Sequence, residues 1–279
     1  MPDSLKKLVN GLLSRSIEKQ TQEPENHAVD RVSKELRFLE RQWEYALEIE
    51  RVLKELHITV NLVADLKSRT EKEVCGTSRE DLLIYYEGSF FNLVHQMKDK
   101  ILQLVNTVTE DTVPEKPTEQ DDVKLKDLLE KKEKKISGLG IRTELELWDQ
   151  QNHKSCVAVV LRKRTTHHHR VSQSPYNQNV LNLKFVETML KPHTQPLLTP
   201  FQIEYLEKMR IESTERLFTD THSKMTKTLV AIENNLDKIA QSLTTNFKLP
   251  VSDEEIRGIG LDFIQKMKNS KQPDENTIK

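Results

Sequence analysis

Apolar residues recur every three or four positions along most of the chain, which is the spacing of one buried face of an α-helix. The clearest runs predict helices over 3–20, over 28–56 and from Ser78 to Val108. Weaker or interrupted runs predict further helices over 121–135, 141–162, 180–190, 201–247 and 252–268. The helix over 121–135 is highly charged and is predicted to face solvent, and Val159 and Val160 are predicted to point inward from the helix over 141–162. No stretch alternates apolar and polar residues over the length of a strand. The pattern therefore predicts an all-α protein.

Turn-forming and polar residues mark where these helices begin and end. Ser78-Arg79-Glu80-Asp81 resembles a helix-starting capping box, and Gly76 lies in a predicted loop just before it. Prolines and polar residues predict a linker over 109–120 and an irregular loop over 171–200. We therefore predict an N-terminal arm over 1–27, an elongated bundle of long antiparallel helices over 28–250, and a C-terminal helix with a frayed tail over 251–279.

The second half of the longest predicted helix carries an apolar seam of about three heptads. Its members recur at alternating spacings of three and four: Met225, Leu229, Ile232, Leu236, Ile239 and Leu243. A seam of this kind packs either inside the same chain or against a second copy. The first interpretation is favoured here, and the second is kept open.

Composition and charge narrow the classes of protein. The chain has 279 residues with only 7 Gly and 10 Pro, which favours long helices and few tight turns. A net charge of −1 argues against a protein that binds nucleic acid through an overall positive surface. A local basic patch is compatible with this charge. The two cysteines are far apart, and no run is as apolar as a membrane helix. We therefore expect a cytoplasmic protein without membrane contact.

Most familiar enzyme motifs are missing, and one short segment carries the candidate chemistry. No Walker loop, GxGxxG, HExxH, GxSxG or paired CxxC occurs. The segment Arg162–Arg170 holds three arginines, one lysine and three histidines in nine residues, directly after the apolar run 157–161. Histidine exchanges protons near neutral pH, and arginine holds a phosphate through two hydrogen bonds. These groups suffice for metal-free RNA cleavage by the ribose 2′-hydroxyl, which would exclude DNA.

The rotation of a helix decides which of these groups can meet. Each residue turns the helix by about 100°, so Arg162 and His167 would point about 140° apart on an unbroken helix. They would share a site only if the helix ends between them or a second chain supplies partners. Arg162 and His169 would share a face without a break. Thr165 and Thr166 are weak helix formers, which favours a loosened helix between them.

The segment Arg162-Lys163-Arg164-Thr165-Thr166-His167 resembles the Rx4–6H signature of the HEPN superfamily, named for the higher eukaryotes and prokaryotes nucleotide-binding domain. His168 also fits that spacing from Arg162, and Arg164 to His169 fits it as well. The stretch 85–95 is similar to the first long helix of some prokaryotic members. Many members have Asn or another small polar residue where this chain has Lys163. The resemblance covers roughly 78–250, or 28–250 if the preceding long helix belongs to it.

The resemblance implies a HEPN-like core and an endoribonuclease of the toxin or anti-phage defence type. Such sites are commonly composite, with two motifs facing each other across a homodimer. It implies catalytic roles for Arg162, His167 and His168, with no metal and no cofactor. RNA contacts are expected from the basic residues of the motif, Lys163, Arg164, His169 and Arg170. Asn92 and His95 would add contacts if their face of the helix from Ser78 to Val108 meets the motif; simple exposure to solvent is the alternative. An antitoxin or a sensor protein is a further expected partner.

Simpler interpretations of the same residues remain. A basic helix end can be plain solvated surface, because cations suit the negative end of a helix dipole. A metal site made of His167, His168 and His169 is less favoured, because adjacent histidines diverge by about 100° and no acidic ligand lies nearby in the sequence. The alternative function is a non-catalytic helical module that binds a partner protein or a nucleotide.

Overall fold

The computed structural model describes residues 2–22, 34–69, 73–74, 76–109, 124–169, 178–247, 249 and five positions between 258 and 265. Helices dominate these residues: Asp3–Gln22 (α1), Lys34–Ser68 (α2), Arg79–Val108 (α3), Leu125–Lys131 (α4), Glu133–Leu139 (α5), Arg142–Glu146 (α6), Cys156–His169 (α7), Gln178–Met189 (α8) and Pro200–Asn246 (α9). The prediction of an all-α fold is confirmed. Within the described ranges, no helix combines the length and apolar character needed to cross a membrane.

The loop predicted before Ser78 contains the strands that the structure describes. Glu73–Val74 (β1) and Thr77–Ser78 (β2) pair antiparallel, and Gly76 takes a positive φ of 75° in the turn between them. Glycine suits this position because it lacks the Cβ that makes the left-handed region costly. The predicted cap at Ser78 is confirmed, since its Oγ accepts a hydrogen bond from the Asp81 backbone N–H at 3.1 Å. This cap starts α3 where the sequence predicted a helix.

The charged segment before residue 140 differs from the single, solvent-facing helix that was predicted over 121–135. It forms the short helices α4 and α5, and Leu125, Leu128 and Ile136 are buried on them. Lys132 Nζ donates to the Asn106 carbonyl oxygen at 2.8 Å, and Lys135 Nζ donates to that of Thr109 at 2.9 Å. These carbonyls lie at the C-terminal end of α3, where cations are stabilised. The lysines therefore hold the segment in place.

The chain divides into two compact units. Unit 1 comprises Met1–Lys54, Gln96–Asp149 and Ile232–Lys279, and unit 2 comprises Glu55–His95 and Gln150–Ala231. Each unit has its own apolar core among the described residues; Trp148 is fully buried in unit 1, and Phe90 is fully buried in unit 2. The domain boundaries predicted at 27/28 and 250/251 lie outside the described residues and stay predictions.

The apolar seam of α9 is buried within the chain itself. Its six residues, Met225 to Leu243, are at most 4% exposed. The favoured interpretation, an intramolecular core, is confirmed. The linker over 109–120 lies almost entirely outside the described residues, as does most of the C-terminal helix predicted over 252–268. The helix predicted over 180–190 is confirmed as α8, and a 3₁₀ turn over Gln195–Leu197 follows it within the region that was predicted to be irregular.

Candidate functional site

A helix break precedes the basic segment. One helix was predicted over 141–162, but α6 ends at Glu146 and α7 begins at Cys156. Asn152 Oδ1 accepts a hydrogen bond from the Lys154 backbone N–H, and Ser155 Oγ accepts one from the Ala158 N–H, both at 3.1 Å. Asparagine in such turns and serine at a helix N-cap satisfy backbone donors that a helix start leaves open. Ser155 therefore fixes where the helix that carries the motif begins.

Buried residues anchor the first turns of α7. Val157, Ala158 and Leu161 are fully buried and Val160 is 7% exposed, whereas Val159, predicted to point inward, is 38% exposed. A helix turns by about 100° per residue, so one residue in such an apolar run faces outward. The buried stem fixes the position of the backbone from which the basic segment continues.

His95 supports this stem from α3. Its side chain is 8% exposed, and its Nε2 donates a hydrogen bond to the Leu161 carbonyl oxygen at 3.1 Å. The bond joins the middle of α3 to the residue immediately before Arg162. His95 is therefore held by the fold of unit 2. The RNA contact assigned to His95 stays a prediction without structural support.

Arg162 is half-buried and held by the loop that precedes α7. Its Nη1 donates a short hydrogen bond to the carbonyl oxygen of Gln150. A guanidinium has several N–H donors in a fixed plane, so this bond orients the whole group. The sequence carries no signal for the contact, because it depends on the turns over 147–155 that bring Gln150 back beside the middle of α7. The geometry gives Arg162 a fixed orientation together with a structural role.

The backbone of α7 stays helical through His169. The expectation of a loosened helix at Thr165 and Thr166 is therefore wrong: weak helix propensity costs only a fraction of a kcal/mol per residue, and the anchored stem offsets it. On this continuous helix, positions 162 and 167 are about 140° apart, and positions 162 and 169 are about 20° apart. The side chains of Lys163, Arg164 and the three histidines lie outside the described part of the structure, as does all of Arg170.

Asn92 is the other residue of α3 with a predicted RNA contact. Asn92 is exposed on α3, three positions before the buried His95. Its predicted RNA contact stays a prediction. Among the described side chains, no group of three His, Cys, Asp or Glu residues is arranged to hold a metal ion. The side chains of His167, His168 and His169 lie outside the described part of the structure, so a metal site made of these three histidines stays an alternative prediction.

Comparison of the chain with protein-family models, with curated proteins and with solved structures finds no match. The HEPN resemblance therefore rests on the motif residues and their helical setting, and it stays a prediction.

Proposed function

We propose that the chain is a metal-independent endoribonuclease of the HEPN type, acting as a toxin or anti-phage defence effector in the cytoplasm. The supporting observation is the continuity of α7, in which a buried stem runs without a break into the segment 162–169. Hydrophobic packing and the His95 bond fix the base of that segment. An anchored helix holds its groups in fixed directions, and catalysis depends on such fixed positioning.

The proposed chemistry needs one guanidinium and two proton-transferring groups. Arg162 holds the scissile phosphate and stabilises the charge that develops on its oxygens. One histidine, His167 or His168, removes the proton from the ribose 2′-hydroxyl as that oxygen attacks the phosphorus. A second histidine donates a proton to the departing 5′-oxygen. The products are a 2′,3′-cyclic phosphate and a free 5′-hydroxyl, so no water, metal or cofactor is consumed.

A second copy of the chain is part of this proposal. On a continuous helix, Arg162 and His167 leave the axis about 140° apart, so one copy does not direct both at the same phosphodiester. In a homodimer with two motifs face to face, the arginine of one copy meets a histidine of the other. Basic neighbours of the motif, together with Asn92, would then hold adjacent parts of the RNA: Lys163, Arg164, His169 and Arg170. An antitoxin or sensor protein would restrain the enzyme.

One observation favours the alternative, a non-catalytic helical module. The bond from Arg162 to the Gln150 carbonyl makes the arginine a clamp between α7 and the loop before it. A clamp of this kind is useful in a scaffold that binds a partner protein or a nucleotide without cleaving RNA. An endoribonuclease produces new RNA ends, and a non-catalytic binding module does not.

Cleavage of RNA in the presence of EDTA tests the proposal. The full chain, incubated with a 5′-labelled single-stranded RNA, is expected to give fragments with 2′,3′-cyclic phosphates and 5′-hydroxyls, because the attack uses only the 2′-oxygen and protein groups. DNA of the same sequence is expected to stay intact. Cleavage that appears only after Mg²⁺ is added, or equal cleavage of the DNA, would contradict the mechanism. A chain that leaves RNA intact at every concentration would favour the binding module.

A further inference from the structure

Unit 2 contains a cavity of about 800 Å³ that the proposed nuclease does not use. It is lined by the end of α2, by residues 78–80 around the start of α3, by one residue of α8 and by one face of α9. None of its lining residues belongs to the segment 162–170. Its volume falls in the range of ligand pockets, roughly 300–1,000 Å³. The cavity is therefore large enough for a small organic molecule.

Arg79 forms a rigid cationic wall of this cavity. Its Nη2 donates to the Leu66 carbonyl oxygen at 2.7 Å, and its guanidinium carbon lies 4.8 Å from the centroid of the Phe218 ring. The Leu66 carbonyl lies in the last turn of α2, where it also accepts a hydrogen bond from the Arg69 backbone N–H at 3.4 Å. The hydrogen bond and the ring contact together fix the direction of the Arg79 guanidinium.

Two more cations of the wall are uncommitted. Lys67 on α2 and Arg210 on α9 line the cavity, and neither makes a hydrogen bond or ion pair with another described residue. The carboxylates of Glu80 and Glu215 line the same cavity and are likewise unpaired within the described ranges. Cations and carboxylates that line the same cavity without pairing suit a ligand that carries both an anionic group and hydrogen-bond donors. Phe218 and Ile211 add an apolar side to the wall.

We propose that this cavity binds a small phosphate ester whose body carries hydroxyl groups. A phosphate monoester has nearly two negative charges at neutral pH, which suits cations converging from three helices, Lys67, Arg79 and Arg210. The cavity also includes the start of α3, where the helix dipole favours an anion. The ligand hydroxyls donate to Glu80 and Glu215, and its carbon skeleton contacts Ile211.

Calorimetric titration of the full chain with ribose 5-phosphate tests this site. We expect saturable binding and a raised melting temperature, with inorganic phosphate binding more weakly and ribose not binding. The variant Lys67→Gln/Arg210→Gln is expected to bind at least about tenfold more weakly, because two charge-assisted contacts are removed. Lys208→Gln/Arg216→Gln is the matched control: it removes the same charge from exposed positions of α9 outside the cavity lining and should bind as the wild type does.

Each other result overturns the proposal. Equal weakening by the control pair would show that binding follows net charge alone. Equal affinity for inorganic phosphate and ribose 5-phosphate would show that the sugar hydroxyls add no binding energy, so the proposed contacts with Glu80 and Glu215 would be wrong. The absence of both heat and a melting-temperature shift at millimolar ligand would show that the cavity has no such ligand. The assay contains no RNA, so its outcome is independent of the proposed nuclease.

Discussion

The Arg162→Ala protein is expected to cleave RNA about 10²–10³-fold more slowly than the wild type, because the developing charge on the phosphate loses its positioned donor. His167→Ala/His168→Ala is expected to lose about 10²–10⁴-fold, since that variant lacks a proton-transferring group. The initial rate of cleavage of a labelled RNA in EDTA measures both. These variants change groups on one helix, so comparing them assigns the chemistry to that helix.

Two controls separate catalysis from folding. Arg162 also donates to the Gln150 carbonyl, so Arg162→Ala must be compared with Arg162→Lys, which keeps the charge but loses the planar fork. Arg216→Ala removes an exposed arginine elsewhere in the chain and should leave the rate unchanged. If Arg162→Ala lowers the melting temperature while the rate of RNA cleavage per folded molecule stays at the wild-type value, Arg162 is a clamp and the catalytic assignment is wrong.

Trp148→Ala is expected to lower the free energy of unfolding by about 3–5 kcal/mol, which is a large fraction of the stability of an ordinary domain. Trp148 is fully buried, and its Nε1 donates to Asn235 Oδ1 at 2.8 Å. Asn235 Nδ2 in turn donates to the Glu144 carbonyl oxygen at 2.8 Å. The substitution removes a large apolar group and leaves a buried acceptor without its donor.

The second tryptophan of the chain, which is half-buried where Trp148 is fully buried, offers a partial control for the hydrogen bond. Trp43 Nε1 is buried and has no partner among the residues that the structure describes. Trp148→Phe should cost about 1–3 kcal/mol more than Trp43→Phe, because only the first change strands a buried acceptor. Urea unfolding followed by far-UV circular dichroism measures both losses. Equal losses would mean that the bond to Asn235 contributes no net stability.

Periodicity and caps predicted the parts of the fold that depend on local sequence. The capping box at Ser78 and the apolar face from Leu83 to Leu104 predicted α3, and the three-four spacing from Met225 to Leu243 predicted a buried seam. Each of these two signals comes from residues within a single helix, the first in α3 and the second in α9. A long apolar stripe is stable only when it is packed away from water, and in this protein other parts of the same chain cover both stripes.

The errors arose where contacts distant in sequence decide the structure. The charged segment was predicted as solvent-facing, yet lysines that reach the carbonyls at the end of α3 hold α4 and α5 in place. The break before α7 was missed, although Ser155 is a favoured N-cap residue and Asn152 is a turn former. These two signals were available in the sequence and were outweighed by the apolar spacing around them.

For the candidate site, the sequence predicted which residue types are present but not which contacts they make. The segment Arg162–Arg170 stands out for its arginines and histidines, but the bond from Arg162 to Gln150 and the bond from His95 to Leu161 depend on tertiary structure. The continuity of α7 likewise opposes the weak propensity of its two threonines. That continuity is what makes a second copy necessary in the proposed mechanism.

Mixing two inactive variants tests most directly whether an arginine of one copy and a histidine of another act on the same phosphodiester. Arg162→Ala protein and His167→Ala/His168→Ala protein, unfolded together and refolded, should recover about a quarter of the wild-type cleavage rate, because random pairing makes half of the dimers mixed and restores one of their two sites. Each variant refolded alone should remain inactive. If the wild type cleaves RNA but the mixed sample stays as inactive as its components, the two groups do not meet across a dimer, and the account is contradicted.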